Sequence, residues 1–294
     1  MAGLCSRCIS AISIGALAED ETDEIATAHQ ILAHPPEAGV AREWAGGGVA
    51  AESHVAVPVL VRDAGGGAVI DLRLGDCLEI LPTLADKSMD AVITDPPYGI
   101  DYQSARRIDK SQWKPKIEND KEPFLDWLVD VFRVVKDCGA LVCFCRWDVE
   151  EIFKSKIERV GFVVKSQIIW DKVIHGMGDL NGSFAPQHEN AWFAVKGDFR
   201  FWGKRPKTII RVPRVPADEM VHPNEKPVAL FTRLIDSIVP PNGNVLDCFV
   251  GSGNSAKAAY FLKRDYTGID INEEYHGIAQ KRIAEAQQQM VMTL

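Results

Sequence analysis

From about residue 68 onward, apolar and polar positions fall into short blocks whose periods predict alternating strands and helices. Met89 to Thr94 is a mainly apolar run cut off by Asp95-Pro96-Pro97-Tyr98, and reads as a buried strand that stops at Asp95. The two prolines remove two backbone donors, fix φ twice and hold the preceding residue extended. Before this run, Asp71 to Gly75 reads as a short strand, and Asp76-Cys77-Leu78 opens a helix that ends near Leu84, with Asp76 as its cap. After it, Leu125, Leu128, Val131, Phe132 and Val135 recur at helical spacing until Gly139, and Ala140 to Cys145 follows as a strand. Asp148 with Glu151 predicts a capping box for a helix ending at Gly161. Phe162 to Trp170 and Asn190 to Val195 are further strands, and Val228 to Ile238 is a helix. Asn244 begins a strand that runs into a glycine loop and a helix to Leu262; Tyr266 to Ile269 is a last strand, ending at Asp270. Such alternation implies a mostly parallel sheet.

Residues 1–65 break the rhythm. They are rich in alanine and glycine, hold one plausible helix at about Asp23 to Ala33, and read as an N-terminal extension, poorly ordered, ahead of a single domain spanning 66–294. The apolar stretch Cys8 to Ala18 has only Arg7 in front of it, so a loose or amphipathic tail is favoured over a signal peptide. No apolar run is long enough to span a membrane. The seven cysteines form no disulfide framework, and Cys5-x-x-Cys8 lacks partners for zinc, which points to a reducing cytoplasm and no metal.

Charge divides unevenly. Of the net −8, residues 1–65 carry −6, leaving the remainder close to neutral and free to present local basic faces. Two insertions do so. The segment at about 101–121 places Arg106, Arg107, Lys110, Lys114 and Lys116 against Asp109 between residues 102 and 116, and suits a flap on phosphates as well as it suits a solvated loop. Within the segment at about 196–222, the stretch Lys196 to Arg214 holds Lys196, Arg200, Lys204, Arg205, Lys207, Arg211 and Arg214 against Asp198, interleaved with Phe199, Phe201 and Trp202. Bases mixed with aromatics fit phosphates and unstacked nucleobases, although a basic hairpin with one half-buried aromatic side has the same composition.

The loop after the first long strand offers a specific chemistry. An exocyclic amine on a nucleobase is a poor nucleophile because its lone pair is delocalised into the ring. A carboxylate and a backbone carbonyl, each accepting one N–H, would draw that pair out of conjugation; Asp95 supplies the first and Pro96 the second. Tyr98 offers a face on which a base taken out of its duplex can stack. A second loop, Asp247-Cys248-Phe249-Val250-Gly251-Ser252-Gly253-Asn254, joins a strand to a helix, and Asp270 lies 19 residues after Gly251. That spacing also fits a dinucleotide site. The carboxylate of Asp247 opposes a pyrophosphate but favours an ammonium, and only 24 residues follow Asp270, too few for a second nucleotide-binding half.

Asp95-Pro96-Pro97-Tyr98 resembles the catalytic motif of S-adenosylmethionine-dependent DNA amino-methyltransferases. The loop at 247–254 is similar to that family's cofactor motif, with Asn254 in place of the usual threonine, and His222-Pro223-Asn224-Glu225-Lys226-Pro227 is similar to its His-Pro-x-x-Lys-Pro. Catalytic motif first, basic segment second and cofactor motif last is the order of the family's β class. The resemblance implies a circularly permuted class I methyltransferase, an α/β fold with a Rossmann-like, seven-stranded, mostly parallel sheet. It implies S-adenosyl-L-methionine as cofactor, with Asp76, Lys226, Asp247, Phe249, Gly251, Ser252, Gly253 and Asp270 at its site. Asp76 would lie beside the adenine, Lys226 would meet the carboxylate and Asp270 the ribose hydroxyls. Asp95, Pro96, Pro97 and Tyr98 would be catalytic. Double-stranded DNA would be the partner, contacted by Arg106, Arg107, Lys110, Arg200, Trp202, Lys204, Arg205, Lys207 and Arg211, with room for a homodimer and a companion restriction endonuclease. Aspartate at the head of the motif goes mostly with adenine, so adenine is the expected base. The alternatives are cytosine N4, or an RNA or protein-glutamine amine; from another class, a DNA-binding protein with an inactive site is disfavoured by intact Asp95 and Asp247.

Overall fold

The computed structural model describes residues 59–61, 68–99, 123–176, 180–216, 219–221 and 225–291. The insertion at 101–121, His222 to Asn224 and most of 1–65 lie outside the described residues.

Nine strands form one sheet. In chain order they are β1 (Val59–Val61), β2 (Ile70–Leu74), β3 (Met89–Thr94), β4 (Val135–Cys145), β5 (Val163–Asp171), β6 (His188–Val195), β7 (Ile209–Arg211), β8 (Asn244–Asp247) and β9 (Asp265–Asp270), and across the sheet they run β1-β2-β9-β8-β3-β4-β6-β5-β7. The count exceeds the seven expected because β1 and β7 are three-residue edge strands, too short to leave a period in the sequence. β1 also draws residues expected in the N-terminal extension into the sheet, paired antiparallel with β2. Only β1 and β6 run against the other strands. β2 pairs in parallel with β9, Ile70 opposite Tyr266 and Leu74 opposite Asp270, so strands from the two ends of the domain meet near the β1 edge of the sheet.

Helices cover both faces: α1 (Cys77–Ile80), α2 (Leu128–Val134) and α3 (Glu150–Arg159) on one, α4 (Val228–Ile238), α5 (Asn254–Phe261) and α6 (Glu273–Val291) on the other. The central strands divide their side chains between the two. Ala91, Ile93, Ala140, Val142 and Phe144 pack under α4 to α6, whereas Val92, Leu141, Cys143 and Cys145 pack under α1 to α3. Burial on both faces explains why these strands read as continuous apolar runs. α4 buries Leu230, Phe231, Leu234, Ile235 and Ile238, each contributing about 1.5–3 kcal/mol relative to exposure.

Two local expectations yield to tertiary contacts. The helix after Phe124 stops at Val134 rather than at Gly139, because Val135 already pairs with Met89 and begins β4. Gly139 is a strand residue, glycine because a Cβ there would lie 2.8 Å from the Asp90 carbonyl. The capping box at α3 does not form: Asp148 accepts from Arg146, and Val149 occupies the N-cap position without a side-chain bond.

Candidate active site

β3 and β8 are neighbours in the sheet, but the chain leaves them in opposite senses: β8 leads to α5 on one face and on to β9, while α2 and β4 follow β3 on the other side. A crevice opens outside the carboxyl ends of strands at such a switch point. The ends of β2, β9, β8 and β3 lie there side by side and bring Asp76, Asp270, the glycine loop and Asp95 to one edge.

A narrow cleft at this edge is lined by Gly75, Asp76, Cys77, Pro97, Phe124, Cys248, Phe249 and Ile271. Asp76 caps α1, its carboxylate accepting from the Leu78 amide at 2.9 Å, and Phe249 meets Trp127 and Phe124 edge-on at centroid distances of 5.5 and 6.1 Å. The glycine loop is drawn against β9 by the Gly251 amide, which donates to Asp270 Oδ2 at 2.6 Å; Oδ1 of the same carboxylate accepts from the Asn272 amide. Gly253 has φ +84°, and a Cβ on it would come within 2.8 Å of Ala279 Cα in α6, so both conformation and space demand glycine. Ser252 is buried in the turn.

Asp247 is 2% exposed and satisfied on both oxygens: Oδ1 accepts from Thr94 Oγ1 at 2.8 Å and the Phe249 amide at 3.0 Å, Oδ2 from Ser255 Oγ at 2.7 Å. Burial pushes this carboxyl above the ordinary carboxylate range, against the pull of those bonds. Its geometry is that of a pin joining β8, β3 and α5, where the sequence suggested a contact with a ligand's ammonium.

Around Asp95 the structure assembles a cluster that no local motif announces. Tyr98 donates its hydroxyl to Asp95 Oδ1, and the buried ammonium of Lys226 bonds Asp95 Oδ2. Lys226 also lies 3.2 Å from Glu189 Oε2 and 3.5 Å from the Tyr98 hydroxyl, and Glu189 pairs in turn with Lys172 at 2.5 Å. Burial raises the Asp95 carboxyl, opposed by Lys226 and reinforced by the negative charge of Glu189. Burial would by itself lower Lys226, but the two carboxylates hold it above the ordinary lysine value. Tyr98, half-buried beside Asp95, is pushed well above the usual phenol range by desolvation and by that carboxylate, and stays a neutral donor. Lys226, which the resemblance sets at a cofactor carboxylate, reaches the Asp95 loop in this structure. Asn254, the departure from the usual threonine, donates to the Lys226 carbonyl and to Glu225 Oε1, both at 2.8 Å, and Arg282 donates to both Glu225 and Asn254. Asn254 and Arg282 thus tie α5 and α6 to the segment that carries Lys226.

The basic segment is only partly near this edge. β6 runs against β4 and β5 and ends with Val195 opposite Val163, the first residue of β5, so the chain emerges at the far edge of the sheet. The Trp202 amide bonds the Ser237 carbonyl at the last turn of α4, whereas Lys226 precedes its first turn; Arg200, Trp202 and Lys204 therefore lie away from Asp95. The chain then returns along β7, where Arg211 sits opposite Asp171 at the carboxyl end of β5. Lys204, Lys207 and Arg233 line a shallow groove with Ile209, Ile210 and Asp236. Phe199 and Phe201 pack on Phe193, at 5.4 and 5.5 Å between centroids, the half-buried aromatic side of the basic stretch. Arg106, Arg107 and Lys110 lie outside the described residues.

An open, mostly parallel sheet with a glycine loop, an acid at the end of the next strand and a carboxylate loop across the switch point defines a Rossmann-like α/β enzyme that binds a nucleoside-type cofactor. The chain belongs to the N6/N4 DNA methylase family, whose model, described as DNA methylase, matches residues 89–281. Relatives include YubD of Escherichia coli (strain K12), 30% identical over 229 residues that cover 74% of this chain and 91% of that protein. The Type II methyltransferase M.HpaI of Haemophilus parainfluenzae is 28% identical over 240 residues, 73% of this chain and 74% of its own. Among solved structures, the complex of M1.HpyAVI with SAM superposes with a TM-score of 0.56 at 28% identity, covering 72% of this chain and 99% of that one.

Proposed function

We propose that the protein is a site-specific DNA methyltransferase that transfers the methyl group of S-adenosyl-L-methionine to the exocyclic amino group of adenine in double-stranded DNA. The observation that carries this reading is the Asp95 carboxylate, oriented by Tyr98 and Lys226 at the carboxyl end of β3, one strand away from the glycine loop on β8. Family membership and the M1.HpyAVI complex support the cofactor. The residues present suit it: the turn Gly251 to Gly253, with positive φ at both glycines, would let backbone approach a ligand, Asp270 stands at the end of β9, and Asp76 and Phe249 line the cleft. S-adenosyl-L-methionine would supply an electrophilic methyl on a sulfonium. Asp247 would act by fixing the loop and setting its charge, since its oxygens already hold protein groups.

In the reaction, Asp95 and the Pro96 carbonyl accept the two N–H bonds of the flipped base, which restores the amine's lone pair, and Tyr98 bears on its face. That pair would attack the donor's methyl group, forming the N–C bond while the C–S electrons leave with sulfur, and Asp95 is placed to take the proton that the methylated nitrogen would shed. Approach and alignment supply most of the acceleration. We read the fold as circularly permuted, supported by β2 completing the cofactor side of the sheet beside β9. The Type II relatives support a companion restriction endonuclease.

The test is to incubate the purified protein with DNA and methyl-labelled cofactor, digest to nucleosides and identify the product by mass spectrometry. N6-methyladenine is the expected product; N4-methylcytosine alone would overturn the choice of base, and no labelled nucleoside would overturn the activity.

We assign DNA contact to the insertions at 101–121 and 196–222. Neutralising Arg205 and Lys207 together should reduce the slope of log affinity against log salt by roughly 2, at about 0.9 per phosphate contact. An unchanged slope would place the DNA surface elsewhere.

A further inference from the structure

Four charges alternate in a row that ends at Asp95, the group assigned to the amine. Lys172 pairs with Glu189, Glu189 with Lys226, and Lys226 with Asp95. The row joins the residue after β5, the start of β6, the irregular segment leading into α4, and the residue after β3. The Lys226 side chain is 3% exposed and also lies over the Phe144 ring at 4.6 Å from its centroid. Burying charges in this way costs several kcal/mol per ion before pairing, so the row is a poor device for stability alone.

A buried ammonium with one carboxylate partner would neutralise it, and a neutralised Asp95 is a weak acceptor for the base's N–H bonds. Glu189 changes that balance, because it gives Lys226 a second carboxylate as an ion-pair partner 3.2 Å away. We propose that Glu189 is a positioning residue for methyl transfer: it shares the charge of Lys226, so that Asp95 keeps the basicity needed to polarise the target amine and to receive the proton that the methylated amine sheds. The proposal rests on the assignment of Asp95 to the amine. Lys172 holds Glu189 ionised from the other side and limits how strongly it takes Lys226.

The other groups facing Asp95 do not supply this effect. Among the described residues, Tyr98 from its own loop, Cys143 and Cys145 from β4 and Asp247 from β8 stand in its field. Burial pushes Tyr98 and Cys143 well above their ordinary values and Cys145 up to about 12, so all three are neutral near pH 7. Asp247 is bound on both oxygens to Thr94, Ser255 and the Phe249 amide. Glu189 is the facing acid that also holds Lys226.

The experiment compares Glu189→Gln and Glu189→Asp with the unaltered chain in single-turnover methylation across pH, with KM for DNA and cofactor, base flipping by 2-aminopurine fluorescence, and thermal melting. Activity needs ionised Asp95 and is lost as pH falls through its pKa. Glu189 raises that pKa, so in Glu189→Gln the acid limb should move to lower pH. The plateau rate should fall by about three- to tenfold, a fraction of a general acid–base contribution. Both KM values and the flipping signal should hold, and Glu189→Asp should recover part of the rate. A plateau and acid limb unchanged in Glu189→Gln would overturn the proposal. So would a rate loss that follows lowered melting temperature with no shift of the limb and no rescue by aspartate. Absence of any methylated nucleoside from the unaltered chain would instead refute the function, a separate outcome.

Discussion

Asp95→Ala should lower methyl transfer by about a hundredfold to a thousandfold, the effect of removing one preorganised polar group from a transition state, and leave cofactor affinity nearly intact. The side chain serves the amine, and its bonds run to Tyr98 and Lys226 rather than to the glycine loop. Alanine also strips Lys226 of one of its two carboxylates, so Asp95→Asn, which preserves shape, separates lost chemistry from lost packing. Isothermal calorimetry with S-adenosyl-L-methionine, beside a single-turnover assay, decides the matter. Equal loss of cofactor affinity and rate in both variants would place Asp95 in the cofactor site.

Asp247→Ala should fail in the opposite way, with stability and cofactor binding lost together. Removing the carboxylate orphans the hydroxyls of Thr94 and Ser255 and the Phe249 amide, all inside the core. At about 1–3 kcal/mol for each buried group left unpaired, with the effects not additive, a loss on the order of 3 kcal/mol is expected. Urea unfolding reads this directly. The unaltered protein offers a companion measurement. With its folded pKa raised by burial, Asp247 contributes stability fully below the unfolded carboxylate pKa, and that contribution is lost as pH rises through the folded value. A cationic donor favours the ionised form, so its affinity should weaken as pH is lowered through a window above the ordinary carboxylate range. An Asp247→Ala protein of undiminished stability and cofactor affinity would remove Asp247 from the role of pin.

No helix among the described residues is long and apolar enough to cross a membrane, in keeping with the hydropathy of the chain. The elements on which the site depends were legible one at a time. β3 shows as an apolar run stopped by two prolines, the glycine loop as a turn between strand and helix, and α4 as a helix from Val228 to Ile238, because each signal is local: φ restriction, absence of Cβ, a 3.6-residue period. The four acids Asp76, Asp95, Asp247 and Asp270 stood out for the same reason, each closing a strand or opening a helix. What the sequence by itself determined is therefore the alternating fold, the two loops and the chemistry they permit. Tertiary structure decided the rest. It ended α2 five residues early by pairing Val135 with Met89, and added β1 and β7 at edges too short to carry a pattern. It turned Lys226 toward Asp95, 131 residues away, and engaged Asp247 with Thr94 across 153. It also brought Glu189 beside both partners from a strand that otherwise reads as core. Such contacts join side chains whose separations are set by strand order in the sheet, and strand order is a property of the packed chain that no local period encodes.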